Sequence, residues 1–272
     1  EGDGEDALGG KESVVTCLMS DIRSFTTITE ELGAKGTVLL LNDYFTIMVD
    51  CIQDEGGMLD KFIGDAMMCL FGTPIAHEDD PDRAMRASIK MMTELRDLNE
   101  RRASEGKPPI FHGVGLNTDL VISGNIGSPK RMDYTVIGDG VNLAARTESL
   151  CKQYGAQILL TEFTFNALKA TYRTRQVDKV IVKGKTEPVS IFEAVDFHTK
   201  ETFPNAIEVL GHFNNGIEYY NDAEWDNAIK MFNEALKGNP EDVCSKMYKE
   251  RCKYLKKESP KDWDGVWVMK TK

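Results

Sequence analysis

The pattern of apolar and polar positions along the chain predicts an alternation of strands and helices. The run Val14–Met19 is mostly apolar and ends in Ser20-Asp21, which is typical of a buried strand that finishes in a carboxylate. Apolar residues then recur at helical spacing between residues 37 and 55, which predicts a helix. Two further short apolar runs within residues 57–71 meet at Gly64-Asp65, and this sequence is typical of a tight hairpin.

The next segment continues this alternation. Pro81 opens a second helix that is predicted to run to Leu98, because proline is favoured in the first turn. Strands are predicted at Ile110–Leu116 and Leu120–Ile126 on either side of a polar break. The remaining predicted elements are a strand at 132–137, a helix at 139–152 and strands at 157–160, 176–183 and 189–195. The order predicts an α/β (α+β) fold with a mixed or antiparallel sheet and flanking helices.

After Val195 the pattern becomes helical over residues 203–258. One helical repeat buries little of its apolar face alone. We therefore expect this small C-terminal helical segment to pack on the preceding domain or form a cap, rather than to be a peptide-binding array. Its small and aromatic positions fit one tetratricopeptide-like repeat, with His212 where tryptophan is usual; they are Gly216, Tyr219, Ala228, Phe232, Ala235 and Pro240.

Composition and charge exclude some classes of function. The 272 residues are 41% hydrophobic and 28% charged, which is ordinary for a globular protein. The formal net charge of −11 argues against broad binding to nucleic acid or to anionic membranes, because both need basic surface. It does not exclude a nucleotide, since a local cluster of cations can hold a triphosphate.

The cysteines favour a cytoplasmic location, and the start of the chain favours a piece of a longer protein. Six cysteines form no Cys-x-x-Cys pair, and four histidines complete no zinc spacing, so we expect reduced, buried thiols. No apolar run approaches the roughly 20 residues that span a bilayer. The polar, glycine-rich start predicts a linker at 1–12 and a longer protein with a membrane or sensor part upstream. The predicted domains are 13–197 and 203–258, followed by a tail at 259–272.

Two aspartates carry the most specific chemistry. Asp21 ends the first strand and Asp65 sits at the hairpin tip, so their carboxylates can meet. Two such groups can hold Mg²⁺ or Mn²⁺ against a triphosphate. Each alone is as well explained as a helix cap or turn residue. Together, in these two contexts, they favour a metal site.

Three motifs in the same order resemble class III nucleotidyl cyclases. They are Ser20-Asp-Ile-Arg-Ser-Phe-Thr26, Asp60-Lys-Phe-Ile-Gly-Asp-Ala66 and Tyr134-Thr-Val-Ile-Gly-Asp-Gly-Val-Asn-Leu-Ala-Ala-Arg146, within residues 14–195. The resemblance implies a ferredoxin-like or palm-type fold and conversion of ATP to 3′,5′-cyclic AMP and pyrophosphate. It further implies two divalent cations, Mg²⁺ or Mn²⁺, on Asp21, Ile22 and Asp65. One cation polarises the ribose 3′-hydroxyl and the other holds the phosphates. Asp21 is the favoured acceptor of the hydroxyl proton, and bound water or a substrate phosphate is the alternative.

The resemblance also assigns the adenine-binding residues. Lys61 would donate to N1 of adenine, where guanylate cyclases carry Glu, and Thr135 would accept from the 6-amino group. From the residues alone, Lys61 could instead pair with Asp60, and Thr135 could be an ordinary strand residue.

Further residues are implied around the ribose and phosphates. Asn142 and Arg146 lie four apart on one helix face, where the resemblance gives them the ribose and the transferring phosphate. Without it, Arg146 reads as a surface residue. Ile22 and Phe25 would lie along the phosphates at a helix start, although the Phe25 side chain suits a core position better than a ligand position. Lys183 would contact the terminal phosphates, or simply lie in a turn.

In this family the metal aspartates come from one subunit and the Lys, Thr, Asn and Arg from the other. The chain contains both sets, so the resemblance implies a homodimer with two equivalent sites. A guanylate cyclase is the alternative within the class. A degenerate nucleotide-binding regulator, or an interaction module in which the helical tail binds a protein partner, is the alternative from another class.

Overall fold

The computed structural model describes residues 10–181, 187–260 and 262–267. By contacts between residues the chain divides into two compact units. The first unit comprises residues up to 151 together with 157–171, and the second comprises 152–156 and the residues from 172 onwards. In the described part of the chain no helix combines the length and apolar composition needed to cross a bilayer.

The first unit is built on a mixed sheet with β1 and β4 at its centre. Strand β1 pairs antiparallel with β3 on one side and with β4 on the other. Strand β3 forms a hairpin with β2, β5 folds back antiparallel on β4, and β6 runs parallel to β4. The strands are β1 Lys11–Ile22, β2 Met58–Ile63, β3 Ala66–Phe71, β4 His112–Ser128, β5 Arg131–Ile137 and β6 Ile158–Thr161.

Four helices accompany these strands: α1 Phe25–Asp54, α2 Asp80–Ser104, α3 Asp139–Tyr154 and α4 Glu162–Ala167. Helix α1 contains a non-helical residue, Gly33, at φ 66°. Helix α2 has proline and acidic residues in its first turn and basic residues in its last turn. Proline is favoured in the first turn, and charges in these positions interact favourably with the helix dipole.

Alternation along β1 separates two faces, as expected of a strand. Val15, Cys17 and Met19 point into a core cluster that also contains Met68 and Ala144. On β4 Gly115 lets α3 approach the strand backbone closely. A Cβ at Gly115 would lie 2.2 Å from the Glu148 nitrogen, so no larger residue fits there without displacing the helix.

The second unit combines a hairpin with three helices. Strand β7 (Thr174–Val180) pairs antiparallel with β8 (Val189–Ala194). The helices are α5 Ala206–Asn221, α6 Trp225–Gly238 and α7 Val243–Glu258. Helices α5 and α6 meet where Gly216 faces the ring of Phe232, which a Cβ at position 216 would approach within 2.6 Å.

A buried ion cluster ties α7 to the hairpin. The Arg175 guanidinium on β7 donates to Glu193 on β8 at 2.6 Å and to both carboxylate oxygens of Asp242, at 2.9 and 2.7 Å. All three side chains are at most 3% exposed. Asp242 is also the N-cap of α7 and accepts from the Ser245 backbone N–H. The cluster therefore fixes the start of α7 on the two strands.

A second buried cluster lies farther along the same strand. Asp178 accepts from the Tyr154 hydroxyl at 2.7 Å and pairs with Arg251 of α7 at 2.8 Å. The side chains of Asp178 and Arg251 are 1% and 6% exposed. Helix α7 is thus held to β7 by buried charges at its start and near its middle.

The mixed α/β fold predicted from the sequence is confirmed, but several elements differ. The two strands predicted at Ile110–Leu116 and Leu120–Ile126 are one strand, β4. The polar break between them is buried: Asn117 donates to the Gly140 carbonyl at 3.0 Å and accepts from Thr161 at 2.7 Å. A backbone carbonyl of α3 and a side chain of β6 satisfy the Asn117 amide, so the strand continues through it.

Helix boundaries also differ from the prediction. Helix α1 begins at residue 25 rather than 37, α2 extends to Ser104, and the short α4 was not predicted. The N-cap of α4 is Thr161, whose side chain accepts a hydrogen bond from the Thr164 backbone N–H. The helix is too short for its periodicity to be recognised in the sequence. The predicted strand at 176–183 ends at Val180, and its last two residues lie outside the described ranges.

Candidate active site

The structure brings Asp21 and Asp65 together. Asp21 lies near the end of β1, and Asp65 follows Gly64 in the turn between β2 and β3. Gly64 has φ 67°, a left-handed conformation that glycine adopts without strain. Because β3 pairs with β1 from Ser20 backwards, the turn returns to the end of β1. The two carboxyl groups lie within hydrogen-bond reach of each other.

The electrostatics of this pair suit a cation. Burial, together with the hydrogen bond and the charge of Asp21, raises the pKa of Asp65 to about 6, although backbone hydrogen bonds from Asp65 and Ile22 act in the opposite direction. A divalent cation would neutralise the two carboxylates that repel each other. Among the described residues no group of three or more His, Cys, Asp or Glu side chains could hold a metal. The site therefore offers two carboxylates, and further ligands would come from backbone, substrate or water.

An ion pair that the sequence analysis missed adjoins the carboxylates. Arg23 Nη2 lies 3.0 Å from Glu148 Oε1, and the Glu148 side chain is 8% exposed. Burial, opposed by Arg23 and assisted by the charges of Asp21 and Asp65, raises the pKa of Glu148 to about 7. The electrostatic coupling shows that the ion pair and the aspartates share one region of the first unit.

A second missed pair, Tyr44 and His112, lies in the same region. The Tyr44 hydroxyl and His112 Nδ1 are 2.7 Å apart, and both side chains are buried. Burial lowers the pKa of His112 to about 3, and Arg23 contributes to the lowering. Burial also raises the pKa of Tyr44, and the charges of Asp21 and Asp65 add to the shift. No local pattern marks either residue, because they meet only through the tertiary fold.

Lys61 lies on β2, four residues before Asp65. Its side chain is 48% exposed, and its Nζ is 3.2 Å from Asp60 Oδ2. The register between β2 and β3 shifts between Leu59 and Lys61, as in a β-bulge. The Asp60 side chain is fully buried. The pairing with Asp60 considered from the sequence is therefore present, and Lys61 still reaches solvent.

Thr135, Asn142 and Arg146 lie on β5 and α3. Thr135 pairs with Gly124 of β4, and Asn142 is exposed one turn before the half-buried Arg146. The Thr135 hydroxyl and Arg146 Nη1 are buried and have no hydrogen-bond partner in the described part of the chain. Within residues 10–181, 187–260 and 262–267, no hydrogen bond or ion pair joins these three residues to Asp21 or Asp65. Asp21 and Asp65 form one set of candidate groups, and Lys61, Thr135, Asn142 and Arg146 form the other.

The remaining predicted site residues are placed as follows. Ile22 is 3% exposed at the end of β1, and Phe25 is half-buried as the first residue of α1. Ser24, which precedes the helix, has φ 55° and makes no side-chain cap. Lys183 lies outside the described residues.

Comparison with known proteins identifies the family. Residues 10–195 match the family described as Adenylate and Guanylate cyclase catalytic domain. The "Adenylate cyclase, terminal-differentiation specific" of Dictyostelium discoideum is 36% identical over 243 residues, covering 88% of this chain and 11% of that protein. An adenylate cyclase of Anabaena cylindrica is 39% identical over 186 residues, covering 66% of this chain and 36% of that protein. The chain thus spans less than half of the length of these relatives.

Solved structures give the same result. The adenylyl cyclase CyaB from P. aeruginosa superimposes with a TM-score of 0.64 at 35% identity, covering 70% of this chain and 97% of that one. The guanylyl cyclase Cya2 superimposes with a TM-score of 0.63 at 38% identity, covering 69% and 94%. From the match over residues 10–195 and these similarities, we conclude that the chain belongs to the family of adenylate and guanylate cyclase catalytic domains.

Proposed function

We propose that this domain is an adenylate cyclase that converts ATP to 3′,5′-cyclic AMP and pyrophosphate. The observation that supports the proposal is the placement of Asp21 and Asp65, both within the residues that match a cyclase catalytic domain, close enough for Asp21 to raise the pKa of Asp65 by its hydrogen bond and its charge. Two adjacent carboxylates at the end of a strand have little structural use, because each raises the cost of ionising the other. They fit a site that is completed by cations.

Asp21 and Asp65, with the backbone carbonyl of Ile22, would hold two divalent ions, Mg²⁺ or Mn²⁺. When bound, these ions supply positive charge to the triphosphate and increase the acidity of the ribose 3′-hydroxyl. The donor set agrees with this assignment, because Mg²⁺ prefers carboxylate oxygens and retains ligands from phosphate and water.

The protein groups would then position the substrate for in-line attack. Asp21 accepts the proton of the 3′-hydroxyl, whose oxygen attacks the α-phosphorus as pyrophosphate leaves. Asn142 orients the ribose, and Arg146 stabilises charge on the transferring phosphate. The start of α1 after Ile22, including Phe25, and Lys183 border the phosphates. Loss of a contact such as that of Arg146 costs about a hundred- to a thousand-fold in rate.

Lys61 and Thr135 support adenine as the base. An ammonium group donates hydrogen bonds and cannot accept them, so it matches the N1 acceptor of adenine and not the N1 donor of guanine. The Thr135 hydroxyl, buried without a partner in the described ranges, can accept from the 6-amino group.

A homodimer would bring the two sets of groups together. Asp21 and Asp65 of one subunit would face Lys61, Thr135, Asn142 and Arg146 of its partner, and a two-fold axis would generate two such sites. The buried hydroxyl of Thr135 and the buried Arg146 Nη1 support this arrangement, because unsatisfied buried polar groups are uncommon unless a ligand or partner meets them.

Guanylate cyclase activity is the second candidate. It is favoured by the similarity to the guanylyl cyclase Cya2, whose 38% identity lies within the range of 35% to 39% found for the adenylate cyclases described above. Lys61 argues against it, because an ammonium group beside the N1 donor of guanine would leave two donors facing each other.

Turnover of ATP and, separately, of GTP with Mn²⁺ tests the proposal. Cyclic AMP with little cyclic GMP is expected; Asp65→Ala should abolish it, and Asp54→Ala, at an aspartate 61% exposed at the end of α1, should not. A folded, dimeric chain that makes neither product contradicts the proposal and favours a regulatory nucleotide-binding role. Cyclic GMP as the main product favours the second candidate.

A further inference from the structure

Arg23 and Glu148 connect the two sets of proposed active-site groups within one chain. Arg23 follows Asp21 by two residues, and Glu148 follows Arg146 by two residues on α3. Arg23 Nη2 contacts Glu148 twice, at 3.0 Å from Oε1 and 3.4 Å from the backbone carbonyl. The Arg23 backbone is itself fixed, because its N–H donates to the Phe111 carbonyl at 2.7 Å.

The strand between them leaves room for this contact. Gly113 of β4 lies opposite Asp21 of β1. A Cβ at Gly113 would lie 1.9 Å from Arg23 Nη2 and 2.7 Å from Glu148 Oε1. The ion pair therefore occupies the space over the strand that a side chain at position 113 would fill. At 22% and 8% exposure the two side chains are shielded from water, which makes the pair stronger than a surface ion pair.

We propose that the Arg23–Glu148 ion pair is a positioning element that holds the end of β1, with Asp21 and Ile22, in register with the part of α3 that carries Asn142 and Arg146. Neither residue need touch the nucleotide. The pair acts by fixing two backbone segments to each other across β4, and small displacements of positioned groups are costly in rate.

In the dimer this element would link the two active sites. This step rests on the proposed function: Asp21 of a chain serves one site, while Arg146 of the same chain serves the other. The ion pair then joins the metal-binding end of one site to the phosphate-binding helix of the second, within a single subunit. A change at Glu148 would consequently disturb both sites.

A charge-neutral double variant separates positioning from electrostatics. Arg23→Gln with Glu148→Gln leaves the net charge unchanged and buries no unpaired ion. We measure the rise in melting temperature that Mn²⁺ alone produces. If the pair positions the carboxylates, the double variant should bind Mn²⁺ about ten-fold more weakly, and each single variant should also bind it more weakly.

A purely electrostatic role or a purely structural role of the ion pair would give different results. If only charge matters, Arg23→Gln should bind Mn²⁺ more tightly, and the double variant should match the unmodified protein. If the pair only stabilises the fold, the melting temperature falls without Mn²⁺ while the Mn²⁺-induced rise persists. Either result overturns the proposal. Glu55→Gln, which breaks the 2.8 Å ion pair between Arg86 and Glu55 in the same unit, is the matched control and should bind Mn²⁺ normally.

Mixed dimers test the link between sites. A chain with Asp65→Ala paired with a chain with Arg146→Ala retains one intact site, to which the first chain gives Arg146 and the second gives Asp65. Glu148→Gln should lower kcat about ten-fold when added to either chain. If Glu148→Gln lowers kcat only in the chain that supplies Arg146, the proposed link between the two sites is overturned. An inactive parent dimer counts against the shared-site function, and the Mn²⁺ measurement then still decides the positioning role.

Discussion

Asp65 and Asp21 hold two carboxyl groups close together, and without a cation this arrangement destabilises the fold. Since the pKa of Asp65 is raised to about 6, its ionised form at neutral pH is less favourable in the folded chain than in the unfolded chain. We predict that Asp65→Asn raises the melting temperature of the metal-free protein at pH 7.5 and removes the stabilisation by Mn²⁺. Calorimetry with and without Mn²⁺ measures both effects. A melting temperature that falls in the metal-free variant contradicts the prediction.

Lys61 and Thr135 allow a prediction about base preference. Lys61→Glu combined with Thr135→Cys replaces a donor by an acceptor at the base and should favour guanine. We expect the ratio of ATP to GTP turnover to fall about a hundred-fold, because a site built for hydrogen bonds discriminates strongly against mismatched groups. Chromatography of the two cyclic nucleotides measures the ratio. Lys107→Glu, at a lysine 53% exposed, should leave it unchanged, and an unaltered ratio in the double variant refutes the assignment.

His112 makes stability depend on pH. Its folded pKa of about 3 lies below the ordinary value near 6.5, so below pH 6.5 the unfolded chain binds a proton that the folded chain does not. Its contribution to the free energy of unfolding should fall by about 1.4 kcal/mol per pH unit from pH 6.5 towards pH 4. His112→Asn, which keeps an acceptor for the Tyr44 hydroxyl, should flatten the profile by that amount.

Urea unfolding at several pH values tests this. The difference between His112→Asn and the unmodified chain is the informative quantity, because Asp65 and Glu148 have raised pKa values and act in the opposite direction, while His198, with a pKa near 4, acts in the same direction. Parallel profiles for the two proteins would show that His112 does not contribute.

Among individual residues, the sequence predicts the site residues Asp21 and Asp65 but does not predict the ion pair of Arg23 and Glu148. Asp21 and Asp65 stand in short motifs whose strand and turn positions are readable, and the structure brings them together. Arg23 and Glu148 also stand in or beside those motifs, yet nothing local indicates that they pair across β4. Long-range partners depend on strand register and on the absent side chain of Gly113, which periodicity does not encode.

Among the elements, strand and helix types follow from the apolar pattern, while their limits follow from tertiary contacts. Strand β4 continues through Asn117 because buried partners satisfy its side chain. Helix α1 begins well before its apolar stripe, where residues 26 and 27 are exposed and give no periodic signal. A hydrophobicity pattern misplaces the end of an element in two cases. In one, polar residues are buried inside a strand; in the other, the residues of a helix are exposed.

Helix α7 depends on Asp242. Replacing Asp242 by Ala removes the N-cap and leaves Arg175 buried with one of its two acidic partners, so we predict a loss of about 3 kcal/mol in the free energy of unfolding. All 3 tryptophans of the chain, at 225, 263 and 267, belong to the second unit. Their fluorescence during urea unfolding therefore reports on this unit.

The control is Asp226→Ala, which breaks an exposed ion pair with Lys256 in the same unit. We expect no measurable change there, because exposed pairs contribute little. Equal effects of the two substitutions would show that the buried cluster has no special role.

For the whole molecule, we predict that activity depends on dimerisation. If each site needs groups from two chains, specific activity should fall on dilution in parallel with the fraction of dimer measured by sedimentation. Chains that keep full specific activity when monomeric would contradict shared sites.

Organisation at this scale is only partly readable from the sequence. The change from alternating to helical periodicity after Val195 coincides with the end of the family match. The similarity to the Dictyostelium protein covers 88% of the chain and so extends into the C-terminal helices. The boundary between the two compact units lies earlier in the chain, because the second unit includes β7 and β8. Periodicity marks where one kind of element gives way to another, and it does not show which elements share buried charges.

The Arg175 cluster bears on how such proteins can exchange parts during evolution. A helical tail that recombined at Val195 would bring Asp242 and Arg251 into a new host without Arg175 and Asp178, and each would lose its buried partner. Such a hybrid would carry uncompensated charges in its interior from the start. The helical tail is therefore expected to vary only together with Arg175 and Asp178 of the hairpin on which it packs.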